Sequence, residues 1–199
     1  MALPLEIWFD FGSNYSYLAV MRVEEMAARQ GIGIAWKPFL LGPVFKALGR
    51  PGSPFLEQKE KGAYVWRDME RLCARYGLPA WKMPSEFPRM GVLASRVVLA
   101  GEDQPWVGAF CRRVMDRNFA QDQDINVPAS LHPILTGLEV DADALLAAAQ
   151  SDEVKAKLRA QTDRALSLGI FGAPTFFAGP EMFWGNDRLE EALEWAAET

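Results

Sequence analysis

Two short stretches that alternate like half-buried strands lie at opposite ends of this chain, and neither can form a stable sheet alone. At the start, Leu5, Ile7 and Phe9 alternate. Tyr17, Val20, Val23 and Ala27 then keep helical spacing as far as Gly31, and Ile32, Ile34 and Trp36 alternate again. This spacing predicts a β-α-β unit. After Gly169, strand character returns at Thr175–Ala178 and Met182–Trp184, followed by a helix with Leu189, Leu193 and Ala196 turned inward. Two strands with one helix cannot cover an apolar sheet face. The ends therefore join. The expected fold is α/β, with one four-stranded sheet built from residues 1–42 and 169–199 and interrupted by a large all-helical insertion over 43–168.

Between the ends the pattern is helical. Glycines and prolines from Pro43 to Ser53 mark a loop, and Val65, Met69, Leu72, Cys73 and Tyr76 share one helical face that stops at Gly77. Pro79, Pro84 and Pro88 mark a second loop. Helices follow near Val92–Ala100, from Pro105 with Val107, Phe110, Cys111 and Val114 on one side, over Ala142–Gln150 and over Val154–Leu168. Asp187, three residues before Glu190, suits a capping box at the last helix.

Composition narrows the function. Half of the 199 residues are hydrophobic, enough for a sizeable core in one domain or one domain with an insertion. The net charge of -5, with acids and bases mixed along the chain, leaves no basic stripe, so nucleic acid is excluded as a partner. No apolar run approaches the roughly 20 residues that cross a bilayer, so a membrane is not expected as a partner. Met1–Pro4 leads straight into a strand without a charged-then-apolar leader. The expected location is cytoplasmic. Cys73 and Cys111 fall on the apolar sides of helices and read as buried structural thiols. His132, alone and followed by Pro133, lacks the partners for a metal site or a catalytic triad.

Two motifs carry chemistry. In Phe9-Asp10-Phe11-Gly12-Ser13-Asn14-Tyr15-Ser16 a strand breaks at glycine and restarts as a helix with Ser13 at its tip. In Gly172-Ala173-Pro174-Thr175-Phe176-Phe177 a proline is flanked by strand formers. Segments of these kinds face each other in a thioredoxin-like fold, where the proline is cis and a redox member carries Cys-x-x-Cys at the helix tip. Here that slot reads Ser13-Asn14-Tyr15-Ser16, which rejects thiol-disulfide exchange. Sulfur handled at such a site must come from a ligand, and glutathione is the candidate.

The segments FDFGSNYSYLA (9–19), KGAYVWRDMERLCARYGLP (61–79), the pair Phe87-Pro88, GIFGAPTFF (169–177) and FWGNDRL (183–189) together carry a family resemblance. The chain resembles the 2-hydroxychromene-2-carboxylate isomerases, in the kappa-class glutathione transferase branch of the DsbA-like proteins, over essentially its whole length. The resemblance implies a thioredoxin-like domain with a helical insertion, a homodimer, and a glutathione-dependent cis-trans isomerase. Its substrate would be 2-hydroxychromene-2-carboxylate or a related small aromatic carboxylate from aromatic degradation. By the same resemblance, Ser13 is catalytic, stabilising the glutathione thiolate. Ala173 pairs with the ligand through its main chain, and Pro174 fixes that edge. Trp184 walls the site, the turn of Gly185, Asn186 and Asp187 takes the γ-glutamyl end, and Lys61 faces the glycyl carboxylate. Arg89 and Phe39 meet the second substrate.

Two departures stand out. Gly49-Arg50-Pro51-Gly52 replaces a Gly-Asn sequence followed by prolines, and Asn14 stands where proline is common. Without the resemblance, Ser13 is an ordinary N-cap, Asp187 caps its helix, and Arg89 and Lys61 are solvated charges. Two other functions stay open: a kappa-like transferase that keeps the conjugate, and a non-catalytic thioredoxin-fold binding module.

Overall fold

The alternating apolar residues at the start of the chain become β1 (Leu5–Phe9), and those past Gly31 become β2 (Ile34–Pro38). The structure, a computed structural model, describes residues 3–198. Met1 and Ala2, on which part of the leader reading rests, and Thr199, the end of the range 169–199, lie outside the described residues. β1 runs parallel to β2, with Ile7 opposite Trp36, and antiparallel to β3 (Thr175–Ala178), with Ile7 opposite Phe176. β3 pairs in turn with antiparallel β4 (Glu181–Trp184). The order β2-β1-β3-β4 makes a single mixed sheet from the two ends of the chain.

The helices are α1 (Asn14–Val20), α2 (Val23–Ala28), α3 (Leu41–Ala47), α4 (Pro54–Glu57), α5 (Lys59–Tyr76), α6 (Val92–Ala100), α7 (Val107–Phe119), α8 (Pro128–Thr136), α9 (Ala142–Ala149), α10 (Asp152–Ser167) and α11 (Leu189–Glu198). Period-two alternation divides the sheet's side chains between two cores. Leu5, Ile7, Phe9 and Phe176 join Leu18, Val23, Leu189 and Leu193 from α1, α2 and α11. On the other face Trp8 and Phe177 meet Phe39, Val44, Ala165 and Ile170, with Trp8 edge-on to Phe39 and Phe177 at 6.3 and 6.5 Å. Phe39 is thus a core residue. Its N–H donates to the Phe9 carbonyl at 3.0 Å and its ring is fully buried on this face, which corrects its reading as a substrate-binding residue.

Four local features differ from the sequence reading. The helix expected from Tyr17 to Ala27 is broken at Met21–Arg22, where the Arg22 N–H turns to the Ala19 carbonyl and its Nε donates to the Leu18 carbonyl. α3 replaces the start of the loop expected at Pro43–Ser53, because Pro43 falls in a first turn, where a missing N–H costs nothing. α8, overlooked around His132, likewise begins with Pro128. The capping box at Asp187–Glu190 does not form: Asp187 lies inside a 3-10 turn (Asn186–Arg188), and Glu190 pairs with Arg22 at 2.9 Å.

The helical middle shares its core with the sheet unit. Tyr17 of α1 packs on Phe119 of α7 at 5.5 Å, and Phe11 meets Phe110 edge-on at 6.5 Å. Cys73 and Cys111 lie unpaired in this core. Burial pushes the Cys73 thiol up to about 11 and Cys111 well above its ordinary value, so neither supplies a thiolate. Asn118 ties the two parts together, donating through Nδ2 to the Phe11 carbonyl at 3.0 Å and accepting from Arg89 at 3.1 Å. Asn118→Ala leaves a buried guanidinium and a buried carbonyl short of partners. The variant should lose about 1–3 kcal/mol in urea unfolding, whereas a loss under about 0.5 kcal/mol contradicts this tie.

Candidate active site

Ser13 ends the turn that follows β1. Its extended backbone (φ -88°, ψ 117°) makes it the N-cap of α1, and its Oγ accepts from the Ser16 N–H at 3.2 Å. The same hydroxyl donates to the carbonyl of Ala173, 3.1 Å away and 160 positions on in the chain. The Ala173–Pro174 peptide is cis, as is Phe87–Pro88. The Ala173 N–H makes no hydrogen bond among the described residues, so one main-chain donor at this edge stays open. Gly12 lets the turn approach the neighbouring loop: a Cβ there would lie 2.6 Å from the Arg89 carbonyl oxygen.

A cavity of about 600 Å³ opens between these segments, within the range of about 300–1,000 Å³ usual for small-molecule sites. Its walls come from the turn Asp10–Tyr15, from α3 and the loop to Phe55, from Lys61, Tyr64 and Val65 of α5, from Phe87 and Pro88, and from Phe171–Ala173 and Trp184. Aromatic rings dominate this lining. Phe171 and Trp184 sit 4.8 Å apart at an exposed rim, and Tyr15 packs edge-on to Phe55 at 6.1 Å. An aromatic wall of this kind suits a flat, conjugated ligand.

Asp10 was overlooked in the sequence reading. Its half-buried carboxylate lines the cavity, accepting the Gly12 N–H through Oδ1 and the Leu41 N–H through Oδ2, both at 2.7 Å. Burial pushes this carboxyl above its usual range, against the opposing pull of those two bonds. It fixes the Ser13 turn to the first residue of α3. Tyr15, also overlooked, donates its hydroxyl to Asp68 at 3.1 Å; burial, with Asp68 beside it, raises that hydroxyl well above its ordinary value. A lone acid inside the run Trp8-Phe9-Asp10-Phe11 was the available signal for Asp10.

Of the residues singled out from sequence, Ser13, Lys61, Ala173 and Trp184 line the cavity, with Pro174 next to Ala173. Gly185, Asn186 and Asp187 stand just past Trp184 without lining it. The Asn186 side chain accepts from Arg22 at 2.9 Å and donates to the Tyr76 hydroxyl at 3.5 Å, while the N–H groups of Asn186 and Asp187 make no hydrogen bond among the described residues. Arg89 is neither solvated nor part of the cavity lining. Its guanidinium is buried and directed away from the cavity, donating to Asn118, the Gln123 carbonyl, Ser85 and Asp122, the last at 2.8 Å. The Ser85 N–H and Arg89 hold the Asp122 carboxyl down at about 2. With those donors engaged, Arg89 has no fork to offer a ligand carboxylate.

Among the described residues no group of three or more metal-binding side chains occurs, and no helix is long and apolar enough to cross a membrane. Residues 4–194 match the DSBA-like thioredoxin domain family. A 2-hydroxychromene-2-carboxylate isomerase of Sphingobium xenophagum is 30% identical over 190 residues, covering 96% of each chain. A glutathione S-transferase kappa 2 of Caenorhabditis elegans is 27% identical over 98% of this chain and 92% of its own. Among solved structures, one of a 2-hydroxychromene-2-carboxylate isomerase superposes with a TM-score of 0.86, at 27% identity, over 98% of this chain and 95% of that one.

The raised Asp10 carboxyl gives a pH signature. Unfolded, its carboxyl ionises near about 3.9; folded, it keeps its proton to higher pH, so its contribution to stability falls as pH rises through that interval. Asp10→Asn lacks this titration but offers one acceptor oxygen to two N–H groups. The variant should be less stable than the parent at pH 4, by about 1–3 kcal/mol, with the gap narrowing by pH 7. Urea unfolding at both pH values measures this, and a gap that stays constant or widens contradicts it.

Proposed function

The chain belongs to the DsbA-like thioredoxin family, and from that premise we propose that it is a glutathione-dependent isomerase. Its substrate is 2-hydroxychromene-2-carboxylate or a related small aromatic carboxylate. The observation that supports this most is the Ser13 hydroxyl facing Ala173 at the head of an aromatic cavity, in a protein whose own thiols are buried elsewhere. On this reading the cavity's ligand is a cysteine-containing tripeptide. Ser13 offers a hydroxyl for the sulfur, the open Ala173 N–H a strand-like contact, and the open Asn186 and Asp187 N–H groups a carboxylate contact. Lys61, which lines the cavity, offers a positively charged contact. Bound glutathione would supply a sulfur nucleophile for reversible addition to a conjugated carbon, the chemistry that gives a double bond single-bond rotation without net use of thiol.

The chain's task is to keep that sulfur ionised, since a free thiol is only a few per cent thiolate at neutral pH. Ser13 has one proton and, with ligand bound, two acceptors. Turning Oγ from the neutral Ala173 carbonyl to an anionic sulfur exchanges a weaker hydrogen bond for a charge-assisted one. Such a bond contributes about 1.5–3 kcal/mol, or roughly one to two pKa units. The Ala173 carbonyl keeps both lone pairs for the ligand's main chain. Phe45, Phe55 and Phe87 add apolar surface to the same cavity, and a lower local dielectric strengthens the hydroxyl's interaction.

A second reading is a kappa-like transferase that retains the sulfur adduct, supported by the 27% identity to a kappa enzyme across nearly the whole chain. Absorbance assays with 2-hydroxychromene-2-carboxylate, with and without glutathione, test both. The isomerase reading expects turnover that needs glutathione and does not consume it. Stoichiometric loss of thiol favours the transferase, and glutathione-independent turnover rejects both. Ser13→Ala should lower the rate at neutral pH about 10- to 100-fold and move the pH profile upward. A variant with the parent's rate and profile removes Ser13 from the mechanism.

A further inference from the structure

We propose that Arg50 determines the specificity of this cavity, binding the carboxylate of the aromatic ligand through two parallel N–H bonds; the proposal rests on the aromatic-carboxylate reading above. The chain builds a fixed mount for this side chain. Asp10 holds the first N–H of α3, at Leu41, and the other end of the helix closes on Gly49, whose left-handed backbone (φ 75°) lets the chain reverse. The Gly49 N–H donates to the Lys46 carbonyl at 3.0 Å and the Arg50 N–H to the Phe45 carbonyl at 2.9 Å, the paired bonds of a Schellman turn. That turn sets Arg50 over Phe45, its guanidinium carbon 5.9 Å from the ring centroid, and both residues line the cavity.

A guanidinium laid over a ring keeps its N–H groups free at its edges. Among the described residues none of these groups makes a hydrogen bond or ion pair, and Glu57, the acid of the neighbouring α4, accepts the Gly52 N–H at 3.1 Å instead. Asp10 is the only acid of the cavity lining among the described residues, and each of its oxygens already accepts a backbone N–H. The lining thus sets two cations, Arg50 and Lys61, against one acid. Such a cavity favours an anionic occupant. Arg89, the cation put forward from sequence, is committed to Asp122 at 2.8 Å. Of the remaining two, Lys61 is a point charge on a flexible stem, whereas Arg50 offers a planar fork that matches a carboxylate. Its place above Phe45 puts that fork beside the aromatic wall, where a flat ring can lie with its acid group turned toward Arg50. The main-chain donors assigned to the tripeptide, at Ala173, Asn186 and Asp187, belong to other segments.

Chromone-2-carboxylate and chromone, the same ring with and without the acid, test this when each is titrated into the full chain by calorimetry, with glutathione as a third probe. The parent should bind the acid more tightly than chromone. Arg50→Ala should weaken the acid about tenfold and leave chromone and glutathione unchanged. Arg50→Lys keeps the charge but loses the fork, and should recover only part of that loss. Equal affinity of the parent for acid and chromone, undiminished binding of the acid by Arg50→Ala, equal losses for all probes, a loss confined to glutathione, or full recovery by Arg50→Lys each overturns the proposal. A parent protein that binds the acid through Arg50 but shows no glutathione-dependent turnover rejects the isomerase reading alone; one that binds none of the three probes rejects both.

Discussion

β1 is paired on both of its edges, and the site depends on that. Its parallel partner β2 follows in the β-α-β unit, while its antiparallel partner β3 arrives from the far end of the chain. This pairing sets Ser13, past the end of β1, against Ala173, before the start of β3, closely enough for a 3.1 Å hydrogen bond. A slip of one residue would exchange Ile7 and Trp8 between the two cores and carry the Ser13 turn off its mark. Each face is filled by large side chains that fit only one register, so the geometry of the site is underwritten by the packing of the sheet.

Around that contact the chain places few charges and many rings. Asp10 is one of those charges, and its two backbone bonds join the Ser13 turn to α3. α1 spans seven residues because Arg22 ends it early, so its dipole is that of a short helix. The hydroxyl, not the helix, therefore carries most of the burden of favouring an anion at this point. The aromatic lining lowers the local dielectric, which raises the worth of a satisfied polar contact and the cost of an unsatisfied one.

Much of the fold was readable from spacing alone. The alternating runs at Leu5–Phe9 and Thr175–Ala178 and the helical face ending at Gly77 need only local periodicity, and each forms as read. Proline misled at Pro43, which looks like a breaker but sits in the first turn of α3. The motifs located the turn of Ser13 and the cis bond at Pro174. Arg89 shows the limit of such reading. Its neighbours Phe87 and Pro88 line the cavity, yet its own side chain is claimed by Asn118 and Asp122, partners about thirty residues away that no local pattern reveals. Phe39 failed for a similar reason, since which face a residue at a strand's end occupies is decided by the register of the whole sheet.

The central claim is that a serine hydroxyl takes over a ligand's sulfur anion from a neutral carbonyl. The most direct measurement is an ultraviolet titration of the thiolate absorbance of glutathione bound to the protein, compared with free glutathione. The account predicts that the bound thiol ionises about one to two pH units lower, and that Ser13→Ala restores the free value without abolishing binding. A bound thiol that titrates like the free one, or a depressed value that survives Ser13→Ala, contradicts it.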